Sequence, residues 1–182
     1  VNNVLHSPLD SSGLRLSQVS MAERLSELEF HFPVGAHGGL KKFLHGDDTS
    51  VPVHGAADHG FPEIAGMMKG YIDLVFRHNG RYYIVDWKSH MLELSQGDYS
   101  GESMLAEMNR HNYHLQYRIY TVALHRYLAA RLGNAYDYDR HFGGVFYLFI
   151  RGMNGIDSSG VFSARPEISL TAKLDRIFRG EE

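Results

Sequence analysis

The chain has 182 residues, 43% of them hydrophobic and 12% aromatic, enough to bury one real core and too apolar for a disordered segment. It shows no apolar run of membrane-spanning length, no signal-peptide pattern and no cysteine, which excludes disulfides, thiolate zinc sites and cysteine nucleophiles and agrees with a cytosolic setting. The net charge of −3 argues against a free-standing nucleic-acid binder, so any grip on DNA must come from a local patch or from attached domains.

Residues 1–20 mix polar and apolar positions around Pro8 and Gly13 and predict short helices or irregular structure. Residues 28–33 alternate apolar and polar with period two and read as a strand. Residues 35–65 are rich in glycine and histidine and predict a long mobile loop inserted in the domain, around one short helix near Leu40 to Leu44. Two strands follow, from Gly70 to Phe76 and from Tyr82 to Lys88, joined through Asn79-Gly80, the strongest short hairpin signal. A polar connection through Gln96-Gly97-Asp98 leads to a helical segment over about 101–132, with a break expected near residues 111–114 and a C-cap at Gly133. The continuous apolar run from Gly144 to Ile150 predicts a strand buried on both faces. After a loop through residues 152–160, residues 168–178 read as a closing amphipathic helix. The order of strand, hairpin, helix, strand and helix predicts a single α/β domain over 1–182, with helices packed on a sheet.

The hairpin carries the chemistry. With Asn79 and Gly80 as the two turn residues, Asp73 lies directly opposite Asp86. Side chains alternate along a strand, so Asp73, Asp86 and Lys88 share one face, while Ile72, Leu74 and Phe76 point the other way with Tyr83, Val85 and Trp87. Opposed carboxylates repel and destabilise a sheet. A bound divalent cation is the simplest offset, and two Asp with a Lys around a hard cation make a phosphodiester-cleaving constellation. Asp-x-Lys alone is a weak signal, and a solvated edge strand or an Asp86–Lys88 salt bridge are the plain readings of it. The upstream Asp73 in register and the apolar strands favour a nuclease.

Ile72-Asp73, Asp86-Trp87-Lys88 and Gln116-Tyr117-Arg118-Ile119-Tyr120 together resemble the PD-(D/E)xK nuclease superfamily in its RecB-like branch, where an Asp…Asp-x-Lys hairpin precedes a helix bearing Gln-x-x-x-Tyr. The resemblance covers most of the chain from about residue 66 onward. It implies a restriction-endonuclease-like mixed central sheet with flanking helices, and a metal-dependent deoxyribonuclease of the exodeoxyribonuclease V type. It implies Mg²⁺ as cofactor, with Mn²⁺ an alternative and Ca²⁺ able to bind without activity. Asp73, Asp86 and the Trp87 carbonyl would ligate the metal, Lys88 would serve the nucleophile and the scissile phosphate, and Gln116 and Tyr120 would line the site and touch the DNA strand. Glu27 or Glu29 resembles the acid that family members hold near the metal through water; the two share strand parity, and Glu27 is preferred. Ile72 replaces the Pro of the motif's name, and Trp87 stands where Tyr is frequent. The branch's fourth metal ligand, a His on an upstream helix, has no counterpart, since His6 lacks that setting; with Val1 in first place, this predicts a fragment cut from a longer chain.

As part of a RecBCD-type helicase–nuclease of the bacterial cytoplasm, acting in double-strand break repair and recombination, the chain would have DNA and RecC-like and RecD-like subunits as partners. Two rivals stand beside this reading. One is a non-catalytic DNA- or partner-binding domain that keeps the fold, against which the intact Asp73, Asp86 and Lys88 count. The other is a subunit-docking domain, which the low basic charge favours. The 12 histidines tempt a zinc reading, but there is no HExxH and only His111-x-x-His114 has one-turn spacing. Asp47-Asp48 lacks an EF-hand pattern. Arg77, Arg81, Arg110, Arg118 and Arg126 flank the proposed site in sequence and are candidate phosphate-steering groups.

Overall fold

A computed structural model describes residues 2–34, 63–64, 66–92 and 98–181. Its strands are β1 (Arg24–Pro33), β2 (Glu63–Ile64), β3 (Met67–His78), β4 (Arg81–Lys88), β5 (Phe142–Phe149) and β6 (Val161–Ala164). Its α-helices are α1 (Asn2–His6), α2 (Gly101–Arg110), α3 (Tyr113–Leu132), α4 (Tyr138–His141) and α5 (Ile168–Arg179). The sheet runs in the order β1-β3-β4-β5-β6, with β2 paired to β3. β3 and β4 are antiparallel, β4 and β5 parallel, and β5 and β6 antiparallel, so the sheet is mixed, as the family resemblance implies. Most of the expected loop over 35–65, with its short helix and Asp47-Asp48, lies outside the described residues; Glu63–Ile64 form a strand. Among the described residues, no helix is long and apolar enough to cross a membrane.

The chain divides into two compact units, and strands β1 and β3 contribute to both. The first comprises Val1–Leu28, Ile72–Glu107 and Asp139–Arg165. Its centre is the hairpin. Asn79 and Gly80 have φ of 49° and 78°, the left-handed pair that a two-residue type I′ turn requires, and the register runs from His78↔Arg81 to Leu74↔Val85 as predicted. On the face anticipated as core, Leu74, Phe76, Val85, Phe146 and Leu148 pack against Leu9, Leu14, Leu16 and Val19 from the irregular N-terminal segment. Phe76, Tyr83 and Phe146 stack in series across three strands, with centroids 4.9 and 5.7 Å apart. Tyr83 lies so close to Gly143 that a Cβ there would sit 2.3 Å from its ring, and beside this contact the β4–β5 register shifts. The opposite face is buried as well: Val75, Ile84, Val145, Tyr147 and Phe149 are nearly or wholly inaccessible. β5 is therefore buried on both faces, as its unbroken apolar run predicts.

The second unit comprises Glu29–Tyr71, Met108–Tyr138 and Pro166–Glu182. The predicted long helix is broken where expected: Asn112 takes a left-handed φ of 51° between α2 and α3. Arg126 of α3 bonds Asp175 of α5, which also takes Arg179 at 2.9 Å, and Arg126 stacks over Phe32 with its guanidinium 4.4 Å from the ring centroid. Phe32 meets Phe178 at 5.4 Å, so β1, α3 and α5 share an aromatic core.

Candidate active site

β4 is an inner strand, flanked by β3 and β5, and its last residues carry the polar motif into a buried setting. Asp86 is only 3% exposed and Lys88 is also buried. The register that sets Asp86 opposite Asp73 is observed, but the recorded ladder stops one pair short of them, at Leu74↔Val85. Past that point a side chain replaces the main chain: Asp73 Oδ2 accepts the Trp87 N–H at 2.9 Å. In an antiparallel pair a residue's N–H and C=O leave the strand on the same edge, so the Trp87 carbonyl also faces the β3 edge. On the other edge Lys88 C=O accepts from Ile150 N–H at 3.1 Å, which fixes β4 against β5.

The charges explain why this corner needs a further partner. Lys88 Nζ stands 2.5 Å from Asp86 Oδ1 and 5.0 Å from the Tyr147 ring centroid. Lys88 meets the buried Asp86 Oδ1 through charge and hydrogen bonding. Burial drives the Asp86 carboxyl up to about 6; Lys88 opposes the rise and the nearby Asp73 charge adds to it. The corner thus holds a buried carboxylate whose burial one ammonium does not fully offset. Two carboxylates and a strand carbonyl are a hard-oxygen donor set of the kind Mg²⁺ and Mn²⁺ take. The residues fit a divalent cation.

A match to the PD-(D/E)XK nuclease superfamily spans residues 15–181, and so takes in the whole hairpin. The chain belongs to this superfamily. It is also 40% identical to the RecBCD enzyme subunit RecB of Escherichia coli (strain K12), over 99% of this chain and 15% of that protein. The Haemophilus influenzae subunit is 42% identical over 98% of the chain and 15% of its own length. That of Mycolicibacterium smegmatis is 34% identical over 93% and 18%. The chain therefore spans less than a fifth of the curated relatives it matches.

Asp73, Asp86, Trp87 and Lys88 thus come together in the first unit. Gln116 and Tyr120 lie on α3 in the second, where Gln116 Nε2 donates to the Tyr120 hydroxyl at 3.1 Å and the Tyr120 ring meets Phe30 edge-on. The two acidic candidates on β1 separate clearly. Glu29 is engaged with Lys69 at 2.6 Å, and that ammonium, through hydrogen bonding and charge, holds its carboxyl below the usual range. Glu27 adopts a left-handed φ of 54°, which costs a non-glycine residue about 1–2 kcal/mol. Both side chains are nevertheless exposed, in alternation with the buried Phe30 and Phe32.

The arginines were the least legible part. Arg77 pairs with Glu23 at 3.8 Å, Arg81 donates to the Phe142 carbonyl and Arg126 is bound to Asp175, so these three serve the fold. The histidine pair singled out by spacing also has packing partners: His111 stacks on Tyr113, and His114 Nδ1 lies 3.2 Å from the Tyr117 hydroxyl. Sequence reasoning missed a different pair. Glu107, 1% exposed on α2, meets His90 Nε2 at 2.9 Å, just beyond the end of β4. Their separation of 17 positions along the chain carries no periodic signal that would have joined them.

Proposed function

We propose that this chain is the nuclease module of a RecBCD-type helicase–nuclease, a Mg²⁺-dependent deoxyribonuclease that hydrolyses phosphodiester bonds in double-strand break repair and recombination. The observation that carries the reading is the buried Asp86, set by register against Asp73 and in contact with Lys88, within a chain that belongs to the PD-(D/E)XK superfamily. The names of the relatives, RecB subunits of a RecBCD enzyme, support RecC-like and RecD-like partner subunits, and membership of a nuclease superfamily supports a nucleic-acid substrate, which we take to be DNA.

In this account Asp73, Asp86 and the Trp87 carbonyl hold the cation. A divalent ion there would polarise the scissile phosphate and lower the pKa of a water. Asp73 keeps one oxygen on the Trp87 N–H, which fixes its carboxylate plane and leaves the other oxygen to ligate. Lys88, on the same face as the two carboxylates, would donate to the attacking water and a phosphate oxygen, where negative charge grows in the transition state. Glu27 is the acid placed near the metal through water; its strained backbone, of a kind that clusters at functional sites, supports that choice over Glu29. Gln116 and Tyr120 contact the DNA strand from α3.

The test is a cleavage assay on the purified full-length protein with and without Mg²⁺, beside the Asp86→Ala variant. Cleavage is expected from the wild type only, and only with metal. Equal cleavage by Asp86→Ala, or full activity in chelator, would overturn the reading.

A further inference from the structure

We infer that Arg151 is a phosphate-binding residue that holds the substrate strand beside the scissile phosphate. The inference rests on the nuclease reading above and extends it to a residue outside the superfamily's motifs.

The place of Arg151 follows from the register. β4 and β5 run parallel and end together at the pair Lys88↔Phe149, and Ile150 N–H carries the ladder one bond further onto the Lys88 carbonyl. The chain then turns, with Gly152 N–H on the Phe149 carbonyl at 2.9 Å, and the turn presents Arg151 beside Ser89. Arg151 Nε donates to the Ser89 carbonyl at 2.6 Å. The guanidinium is thus fastened to the backbone one residue from Lys88, at the C-terminal ends of two parallel strands, where open α/β sheets place their ligands.

The way it is fastened matters. A guanidinium has five N–H donors in a rigid plane. One is spent on Ser89, and this fixes the plane while leaving the four donors of the two Nη groups, which face no acceptor among the described residues. Arg151 is exposed, so those donors are open to a ligand. Other arginines of the same unit are used differently: Arg24 donates through Nη2 to the Leu16 and Val19 carbonyls, and Arg165 to Asp139 and the Phe142 carbonyl. An anchored guanidinium with a free Nη edge matches two oxygens of one phosphodiester, a fit that a lysine ammonium lacks. Phosphate oxygens are also the ligand chemistry that a polynucleotide supplies at regular spacing next to the group being cleaved.

The experiment compares wild type, Arg151→Ala and Arg151→Lys in the full-length protein, using short oligonucleotides with Mg²⁺ for cleavage and Ca²⁺ for binding. Arg151→Ala is expected to raise KM about tenfold with kcat changed far less, because the contact is made equally in ground and transition states. It should also flatten the dependence of log affinity on log salt by about one phosphate's share, 0.7–0.9 in slope. Arg151→Lys should restore most of the slope and only part of KM. A merely structural anchor for Ser89 would instead disturb Lys88, lower kcat and the melting temperature, and leave the salt slope unchanged; that result overturns the assignment. Wild-type cleavage with unaltered KM and slope in Arg151→Ala overturns Arg151 alone. If the wild type does not cleave, the nuclease reading falls, and the slope difference in the binding arm still decides whether Arg151 holds phosphate.

Discussion

Replacing Lys88 with alanine is expected to slow DNA cleavage by about 10²–10³-fold while leaving divalent-metal binding intact, the size of effect seen when one transition-state donor is removed. The side chain is buried, its ammonium lies against Asp86 and the Tyr147 ring, and it shares a face with the two carboxylates. Deleting it removes a positive charge from a site proposed to take a cation, so metal affinity should hold or rise. Two measurements separate these outcomes: single-turnover cleavage with Mg²⁺, and the rise in melting temperature caused by Ca²⁺. Binding to the folded state alone stabilises by mass action, about 2.7 kcal/mol at a hundredfold excess over Kd. Lys88→Met, which keeps the aliphatic packing, guards against a folding defect. Undiminished cleavage by both variants would remove Lys88 from the mechanism.

The second large effect is pH-dependent. Burial raises the Asp86 carboxyl from 3.8 to about 6. Between those values the folded chain holds a proton that the unfolded chain has released, so stability falls as pH rises through this window. The contribution is fully present below about pH 4 and lost above about pH 6, an order of 3 kcal/mol for the metal-free protein. A cation ligates only the ionised carboxylate and must displace that proton. The stabilisation given by Mg²⁺ or Mn²⁺ is therefore expected to be small at pH 5, to grow through pH 6 and to level off above pH 7. Asp86→Asn should flatten both profiles. Metal stabilisation of equal size at pH 5 and pH 8, or retained in Asp86→Asn, would contradict a cation on this carboxylate.

How legible the molecule was from its residues depended on whether local rules governed each feature. The Asn79-Gly80 turn sets its own geometry, and with it the register of every pair down to Leu74↔Val85; one dipeptide therefore located the motif. The apolar run of β5 and the break near Asn112 were likewise written in short-range pattern. Long-range packing was not. Nothing in residues 1–20 announces that Leu9, Leu14, Leu16 and Val19 form one side of the core against β3, β4 and β5, because an irregular segment has no period to read. The short β6 escaped prediction for a related reason: four residues joined to a glycine-rich loop are held by pairing to β5 more than by their own pattern. At the site, alternation grouped Asp86 with Lys88, yet it could not foresee that Asp73 would bond the Trp87 amide in place of a ladder partner. At β1, alternation could not foresee the left-handed backbone at Glu27 or the ion pair of Glu29 with Lys69.

The most direct test of the whole account is the position of the metal. Crystals of the protein soaked in Mn²⁺ should show an anomalous scattering peak within bonding distance of the Asp73 and Asp86 carboxylates and the Trp87 carbonyl, with Lys88 Nζ displaced from its 2.5 Å contact with Asp86 Oδ1. A peak seated elsewhere, on His90 and Glu107 for example, with Asp73 and Asp86 bare and Lys88 still against Asp86, would contradict it.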